Sequence, residues 1–95
     1  TAIFCLNDEM AAGAYLAARE LGLVVGADIS IVGFDDAPIA SRLWPTMTSV
    51  RLPLRQMGRI AGELLTSDGL HDRPPTPREI VPELIVRNST VALRP

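Results

Sequence analysis

One cysteine, one histidine and one tryptophan among 95 residues leave little material for disulfides, metal sites or aromatic platforms. A single thiol cannot close an internal disulfide, and Cys5 sits in the apolar run Ala2-Ile3-Phe4-Cys5-Leu6, so an inert core side chain in a reducing compartment is expected. No apolar run approaches the ~20 residues that span a bilayer, and no transmembrane segment is expected. No basic stretch followed by an apolar core and a small-residue cleavage site opens the chain, so nothing marks it for secretion. Nine basic residues against eleven acidic ones give a net charge of −2 without any cation cluster, which excludes nucleic-acid binding by these residues on their own. Catalytic equipment is absent too. There is no Ser/His or Cys/His arrangement and no glycine-rich phosphate loop, and the adjacent acids Asp35 and Asp36 would diverge in a strand. No catalytic residue, metal ligand or cofactor is expected. His71 stands alone in the polar, proline-bearing stretch Ser67 to Pro77, where a solvent-exposed loop is expected.

With 47 % hydrophobic and 21 % charged residues the composition is that of a globular chain, and 95 residues allow one small domain. Thr1 leads straight into strand-like residues without an initiating Met, and a segment of a longer protein is expected. Ala2 to Leu6 is too short for a helix and predicts a first strand, covered on both faces. Asn7 and Asp8 offer N-cap oxygens, Asp8 and Glu9 favour the positive end of a helix dipole, and Met10 to Leu21 lacks proline; a helix ending at Gly22 follows. Met10, Ala14, Ala17, Ala18 and Leu21 are expected to share its inner face, with Ala12 and Leu16 outside. After a turn at Gly26-Ala27-Asp28, Ile29 to Phe34 predicts a second strand. Strand, helix, strand over about 34 residues is a βαβ unit, and such a crossover joins parallel strands whose carboxyl ends share one edge of the sheet.

Downstream, Pro38 to Arg42 predicts a short helical turn, Thr48-Ser49-Val50 an extended segment, and Pro53 the start of another helix. That helix carries an apolar stripe of Leu54, Met57, Ala61, Leu64 and Leu65, with Arg59 and Glu63 at i,i+4 on the other side. Gly58 and Gly62 within it point to close packing or to tolerance. Ile80-Val81 and Glu83 to Arg87 are expected to be extended, broken by Pro82.

The run VGFDDAP, Val32 to Pro38, poses the functional question: two like charges close an apolar strand. Ligands of open parallel sheets bind beyond the carboxyl ends of the strands, where Asn7 ends the first and Asp35 the second. An amide that donates and accepts, beside a carboxylate that accepts twice, suits the vicinal hydroxyls of a sugar or a nucleoside edge. Two readings stand. In one, Asp35 faces a ligand while Asp36 turns toward backbone N–H groups. In the other, Asn7 or Asp8 caps the first helix and Asp35 or Asp36 caps the turn begun by Pro38. Trp44, next to Pro45, fits packing or a subunit contact better than stacking on a sugar.

The runs AIFCLNDEMAAGAYLAARELGL, GADISIVGFDDAPIASRLWPTMTSVRLPLRQMGRIAGELL and PELIVRNST together resemble the C-terminal part of the effector-binding core of LacI/GalR (lactose-repressor-like) transcription regulators. The resemblance covers nearly the whole chain. It implies an α/β fold with a parallel-sheet βαβ unit, a fragment of a periplasmic-binding-protein-like core of two lobes. Residues 1–50 would belong mainly to the C-terminal lobe, 53–81 mainly to the N-terminal lobe, and 83–95 would return to the C-terminal lobe. Carried over by motif position, Asn7 and Asp35 become hydroxyl-binding residues, and Leu54 falls where members often place an apolar or aromatic pocket side chain. Ala12, Leu16, Leu43 and Trp44 become dimer-interface residues. The resemblance implies a cytoplasmic, non-enzymatic homodimer that binds a sugar-like or nucleoside-like effector and reaches operator DNA through a headpiece absent from this chain. A transport-type periplasmic sugar-binding protein is the alternative with the same cleft chemistry. In a segment of this extent the Leu54/Met57/Ala61/Leu65 stripe is expected to be exposed.

Overall fold

A computed structural model describes residues 1–66 and 77–93. Seven elements follow in order: β1 (Ala2–Phe4), α1 (Asp8–Glu20), β2 (Ser30–Phe34), α2 (Pro38–Arg42), β3 (Thr48–Arg51), α3 (Leu54–Thr66) and β4 (Glu83–Ile85). The strands form one sheet in the order β1-β2-β3-β4. β1 pairs with β2 and β2 with β3 in parallel, whereas β4 returns antiparallel to β3. The fold is α/β, mostly parallel, and the expected βαβ unit is present in β1-α1-β2. The stretch holding His71 lies outside the described residues but for its last residue, Pro77. Among the described residues no helix is long and apolar enough to cross a membrane.

The chain divides into two compact units. One contains Thr1–Arg51 and the chain from Glu83 onward; the other is Leu52–Pro82. In the first, Cys5, Ala11, Tyr15, Ile31, Ala40 and Met47 form the core, with Ala14, Val25, Ile29 and Leu43 packed around it. Cys5 is buried and unpaired, and burial pushes its thiol above the ordinary range. The inner face of α1 differs from the expected one. Asp8, Ala11, Tyr15 and Ala18 are buried, while Met10, Ala17 and Leu21 are exposed. The physical reason is that the buried stripe begins with a carboxylate and continues through a tyrosine whose hydroxyl donates to the Pro45 carbonyl (3.0 Å), so an apolar count picks the wrong flank. β1 departs as well. It is an edge strand, and Ala2, Ile3 and Phe4 are all exposed rather than covered.

Turn chemistry follows the sequence closely. Gly22 ends α1 at φ +69°, a left-handed value that glycine adopts without Cβ strain. At Gly26, φ is +86° and a Cβ would strike the Asn88 carbonyl, so two separate constraints demand glycine. The Asp28 carboxylate accepts from the Val24 amide (2.8 Å) and closes that turn. The C-terminal segment then ties the strands together. Ser89 is fully buried; its hydroxyl donates to the Ile31 carbonyl (2.5 Å) and accepts from the Thr48 amide (2.8 Å), and its own carbonyl accepts from the Ile31 amide (3.0 Å). Of the two stretches expected to be extended on either side of Pro82, only Glu83–Ile85 pairs as strand β4; Ile80, Val81, Val86 and Arg87 lie outside the ladder.

In the second unit, Pro53 stands one position before α3 and not at its first position as expected, and its carbonyl accepts from the Met57 amide (2.9 Å). Arg59 donates to Glu63 (2.7 Å) in the expected i,i+4 pair. No residue of α3 is buried, so Leu54, Met57, Ala61 and Leu65 present an exposed apolar stripe. Nothing lies within 4 Å of a Cβ added at Gly58 or Gly62, so neither glycine is required by packing in this unit.

Candidate functional site

The register of the first two strands decides where the polar groups emerge. Phe4 pairs with Val32 in a parallel ladder, and the Cys5 amide donates to the Val32 carbonyl (2.8 Å). Asn7 and Asp35 stand equally far beyond these partners, so both leave the sheet at the carboxyl edge. β3 ends there too, because the Asp35 amide donates to the Val50 carbonyl (2.8 Å).

Asn7 is the N-cap of α1. Its extended backbone (φ −153°, ψ 172°) turns Oδ1 onto the Met10 amide at 2.8 Å, as an N-cap requires. The side-chain amide nitrogen makes no hydrogen bond among the described residues and keeps two donors.

Asp35 and Asp36 have left-handed backbones, with φ +101° and +51°. An L side chain adopts such values at a cost of order 1 kcal/mol or more, which persists where the surroundings enforce it. The two side chains have opposite surroundings. Asp35 is exposed and makes no side-chain hydrogen bond or ion pair among the described residues. Asp36 has a side chain only 6 % exposed, with Arg51 Nε and Nη2 at 2.8 and 2.7 Å from Oδ2 and Arg87 Nη1 at 2.7 Å from Oδ1. Arg87 Nη1 also donates to the Met47 carbonyl (2.8 Å), and its contact with Asp36 Oδ1 is an ion pair without hydrogen-bond alignment. Burial pushes the Asp36 carboxyl up, but the Arg87 and Arg51 guanidiniums outweigh it and hold the group below the ordinary carboxylate value.

Two expectations change here. Asp36 turns to guanidiniums and not to backbone N–H groups, because β3 and the chain after β4 deliver Arg51 and Arg87 beside it. Neither Asp35 nor Asp36 caps α2, whose N-cap Ala37 carries no side-chain cap. The Ala37 amide instead donates to Asp8 Oδ2 (2.6 Å), across from the start of α1. Asp8 Oδ1 accepts from the Ser49 hydroxyl (2.6 Å), which accepts in turn from the Asp36 amide (3.0 Å). Nothing in the sequence pattern assigns Ser49, Arg51 or Arg87 to the site, and Asp8 reads there as a helix N-cap or helix-end charge. The available signal was Gly33, a glycine inside a strand, which marks close approach of another group; here that group is Asp8 Oδ1.

Leu54 lies in the other unit, 63 % exposed, in a shallow depression with Leu52, Pro53 and Arg59. Ala12, Leu16, Leu43 and Trp44 all lie in the first unit. Ala12 and Leu43 are half-buried, whereas Leu16 is 63 % and Trp44 86 % exposed. Trp44 therefore does not pack into its own unit. With Tyr15, Leu23 and Val24, the residues Leu16, Leu43 and Trp44 line a mainly apolar groove of about 730 Å³. Among the described residues no group of three or more His, Cys, Asp or Glu side chains is placed to hold a metal ion.

Residues 1–90 match the model of the periplasmic binding protein-like domain. The chain is 44 % identical to the HTH-type transcriptional regulator MalR of Streptomyces coelicolor over 97 % of its own length and 27 % of that protein's. It is 38 % identical to the HTH-type transcriptional regulator GalS of Salmonella typhimurium over 99 % of this chain and 28 % of that one. It thus spans little more than a quarter of these relatives. Among solved structures, the lac repressor dimer bound to operator and the anti-inducer ONPF superposes with a TM-score of 0.87 at 35 % identity, covering 97 % of this chain and 32 % of the repressor chain. A LacI family regulator from Enterococcus faecium with bound ribose gives a TM-score of 0.81 at 28 % identity, over 99 % of this chain and 35 % of that one. This chain belongs to the periplasmic binding protein-like domain family, as a segment of the LacI/GalR type.

Proposed function

We propose that this segment supplies the hydroxyl-binding rim and part of the dimer face of a sugar-responsive, non-enzymatic transcription regulator of the cytoplasm. The observation that carries the reading is the contrast at the end of β2: Asp36 is buried and doubly paired, while the neighbouring Asp35 keeps an unpaired, solvent-facing carboxylate on a left-handed backbone. Backbone strain held in place beside an unpartnered polar group is characteristic of ligand sites. Asn7 adds donors at the same edge, so acceptor and donor together match a pair of vicinal hydroxyls. Leu54 contributes an apolar wall and no ring for stacking. Residues 1–50 with 83–95 would belong to one lobe of the intact core and 53–81 to the other.

The names of the relatives support a regulator over a transport protein, and the ribose held by the Enterococcus faecium protein supports a sugar as the ligand class. The lac repressor dimer supports self-association, for which Ala12, Leu16, Leu43 and Trp44 offer an apolar surface. In the whole regulator, sugar binding favours one lobe arrangement, and the difference in affinity between arrangements shifts operator binding by a headpiece outside this chain. The test is a gel-shift titration with sugar on the full-length protein. Asp35→Ala is expected to keep operator binding and lose the response to sugar; an unchanged response removes Asp35 from the site.

A further inference from the structure

We infer that Asp8 is the positioning residue that sets the spacing between the Asn7 amide and the Asp35 carboxylate, an inference that rests on the effector-rim reading of these two groups. Asp8 is 1 % exposed, and a buried carboxylate is costly unless its oxygens are hydrogen-bonded. Its bonds do not go to its own helix. Asn7 already caps α1, which leaves both Asp8 oxygens to reach other parts of the fold: Oδ2 to the Ala37 amide and Oδ1 to the Ser49 hydroxyl, each at 2.6 Å.

The effect is concentrated on the turn that carries Asp35. The three successive amides of Asp35, Asp36 and Ala37 donate to the Val50 carbonyl (2.8 Å), the Ser49 hydroxyl (3.0 Å) and Asp8 Oδ2 (2.6 Å). Two of these three bonds trace back to Asp8, one directly and one through Ser49, itself fully buried. Positive φ at both Asp35 and Asp36 is thereby enforced from outside the turn. Asp8 follows Asn7 directly in the chain, so the donor of the rim and the turn bearing its acceptor are joined through one carboxylate. Gly33 keeps the space open, since a Cβ there would collide with Asp8 Oδ1. None of this is needed for capping, which Asn7 performs unaided.

The experiment uses the full-length regulator with Asp8→Ala, Asp8→Asn and Ser49→Ala, and with Asp35→Ala as the reference for the rim. Two quantities are measured: amide hydrogen exchange across residues 33–37, and affinity by calorimetry for D-ribose, D-galactose and maltose as probes. Asp8→Ala is expected to speed exchange selectively at residues 35–37 and to weaken binding of the tightest of the three sugars roughly tenfold or more. Asp8→Asn is expected to recover most of both, because its amide oxygen still accepts from Ala37 and its nitrogen donates to Ser49. If exchange rises evenly over α1 and β2 while sugar affinity of the folded protein is intact, Asp8 is merely structural and the inference falls. Should Asp8→Ala not fold, Ser49→Ala carries the same two outcomes through the Asp36 amide. Where none of the three sugars binds the unaltered protein, the exchange pattern alone decides whether Asp8 holds the turn. Loss of affinity in Asp35→Ala but not in Asp8→Ala overturns the positioning role and leaves the rim standing; unchanged affinity in Asp35→Ala overturns the rim itself.

Discussion

Arg51 directs Nε and Nη2 at one oxygen of Asp36, 2.8 and 2.7 Å away, from the last residue of β3. The same guanidinium approaches Glu83, the first residue of β4, with Nη1 3.7 Å from Oε2. Arg51 and Glu83 are the residues at which the chain leaves the first unit and comes back to it. The ion chain Arg87, Asp36, Arg51, Glu83 thus ties the end of β2 to both points of passage.

This pairing predicts an acid-sensitive stability. Asp36 titrates below its ordinary value of 3.8 in the folded protein, so the unfolded chain binds the proton more readily. A depressed carboxyl contributes stability that is present above the unfolded value and is lost as pH falls through the folded one. Asp36→Asn is expected to lower Tm near neutral pH, with the gap to the unaltered protein narrowing as pH drops below 3.8. Thermal unfolding of both proteins across a pH series checks this. A gap that stays constant into acid would show that the ion pairs contribute nothing measurable.

Ser89→Ala is expected to destabilise far more than an ordinary surface serine. It removes the partner of two backbone groups, the Ile31 carbonyl and the Thr48 amide, in a fully buried setting. Each orphaned group costs about 1–3 kcal/mol. Urea unfolding monitored by circular dichroism should show a lower midpoint with an unaltered slope. A midpoint shift equivalent to less than about 0.5 kcal/mol would mean that water replaces the hydroxyl.

On the proposed dimer face, Trp44→Arg is expected to shift the full-length protein toward monomer. An exposed indole beside exposed Leu16 offers apolar area that a second copy can cover, and aromatic side chains dominate the energetics of such faces. Placing a charge there imposes desolvation on association and leaves the core of the unit untouched. Sedimentation equilibrium over a concentration series reads the change directly; an unaltered dissociation constant would move the interface elsewhere on the chain.

Much of the fold was legible because local physics and tertiary need agree at those points. A cap at Asn7 or Asp8, the stop at Gly22, the turn at Pro38, a helix start within one residue of Pro53 and the Arg59–Glu63 pair are all short-range, and the chain around each spells them out. The parallel direction of β1 and β2 followed from the length of the crossover, and with it the shared edge for Asn7 and Asp35. The inner face of α1 was misread because a buried carboxylate heads it, and an apolar pattern cannot register a charge that is buried for the bonds it makes.

The sequence by itself determined the order of elements, the βαβ unit and the pair of polar residues at the strand ends, since these depend on composition and spacing over a few turns of chain. The tertiary structure alone decided which acid of Asp35-Asp36 stays open to solvent. That choice is made by Arg51, Arg87, Ser49 and Asp8, which stand 13 or more positions away along the chain and meet the turn only when sheet pairing and the return of β4 bring them to one edge. Electrostatic pairing and hydrogen bonding act over a few ångströms of space, whatever the separation in sequence, and the distance that matters is set by the fold.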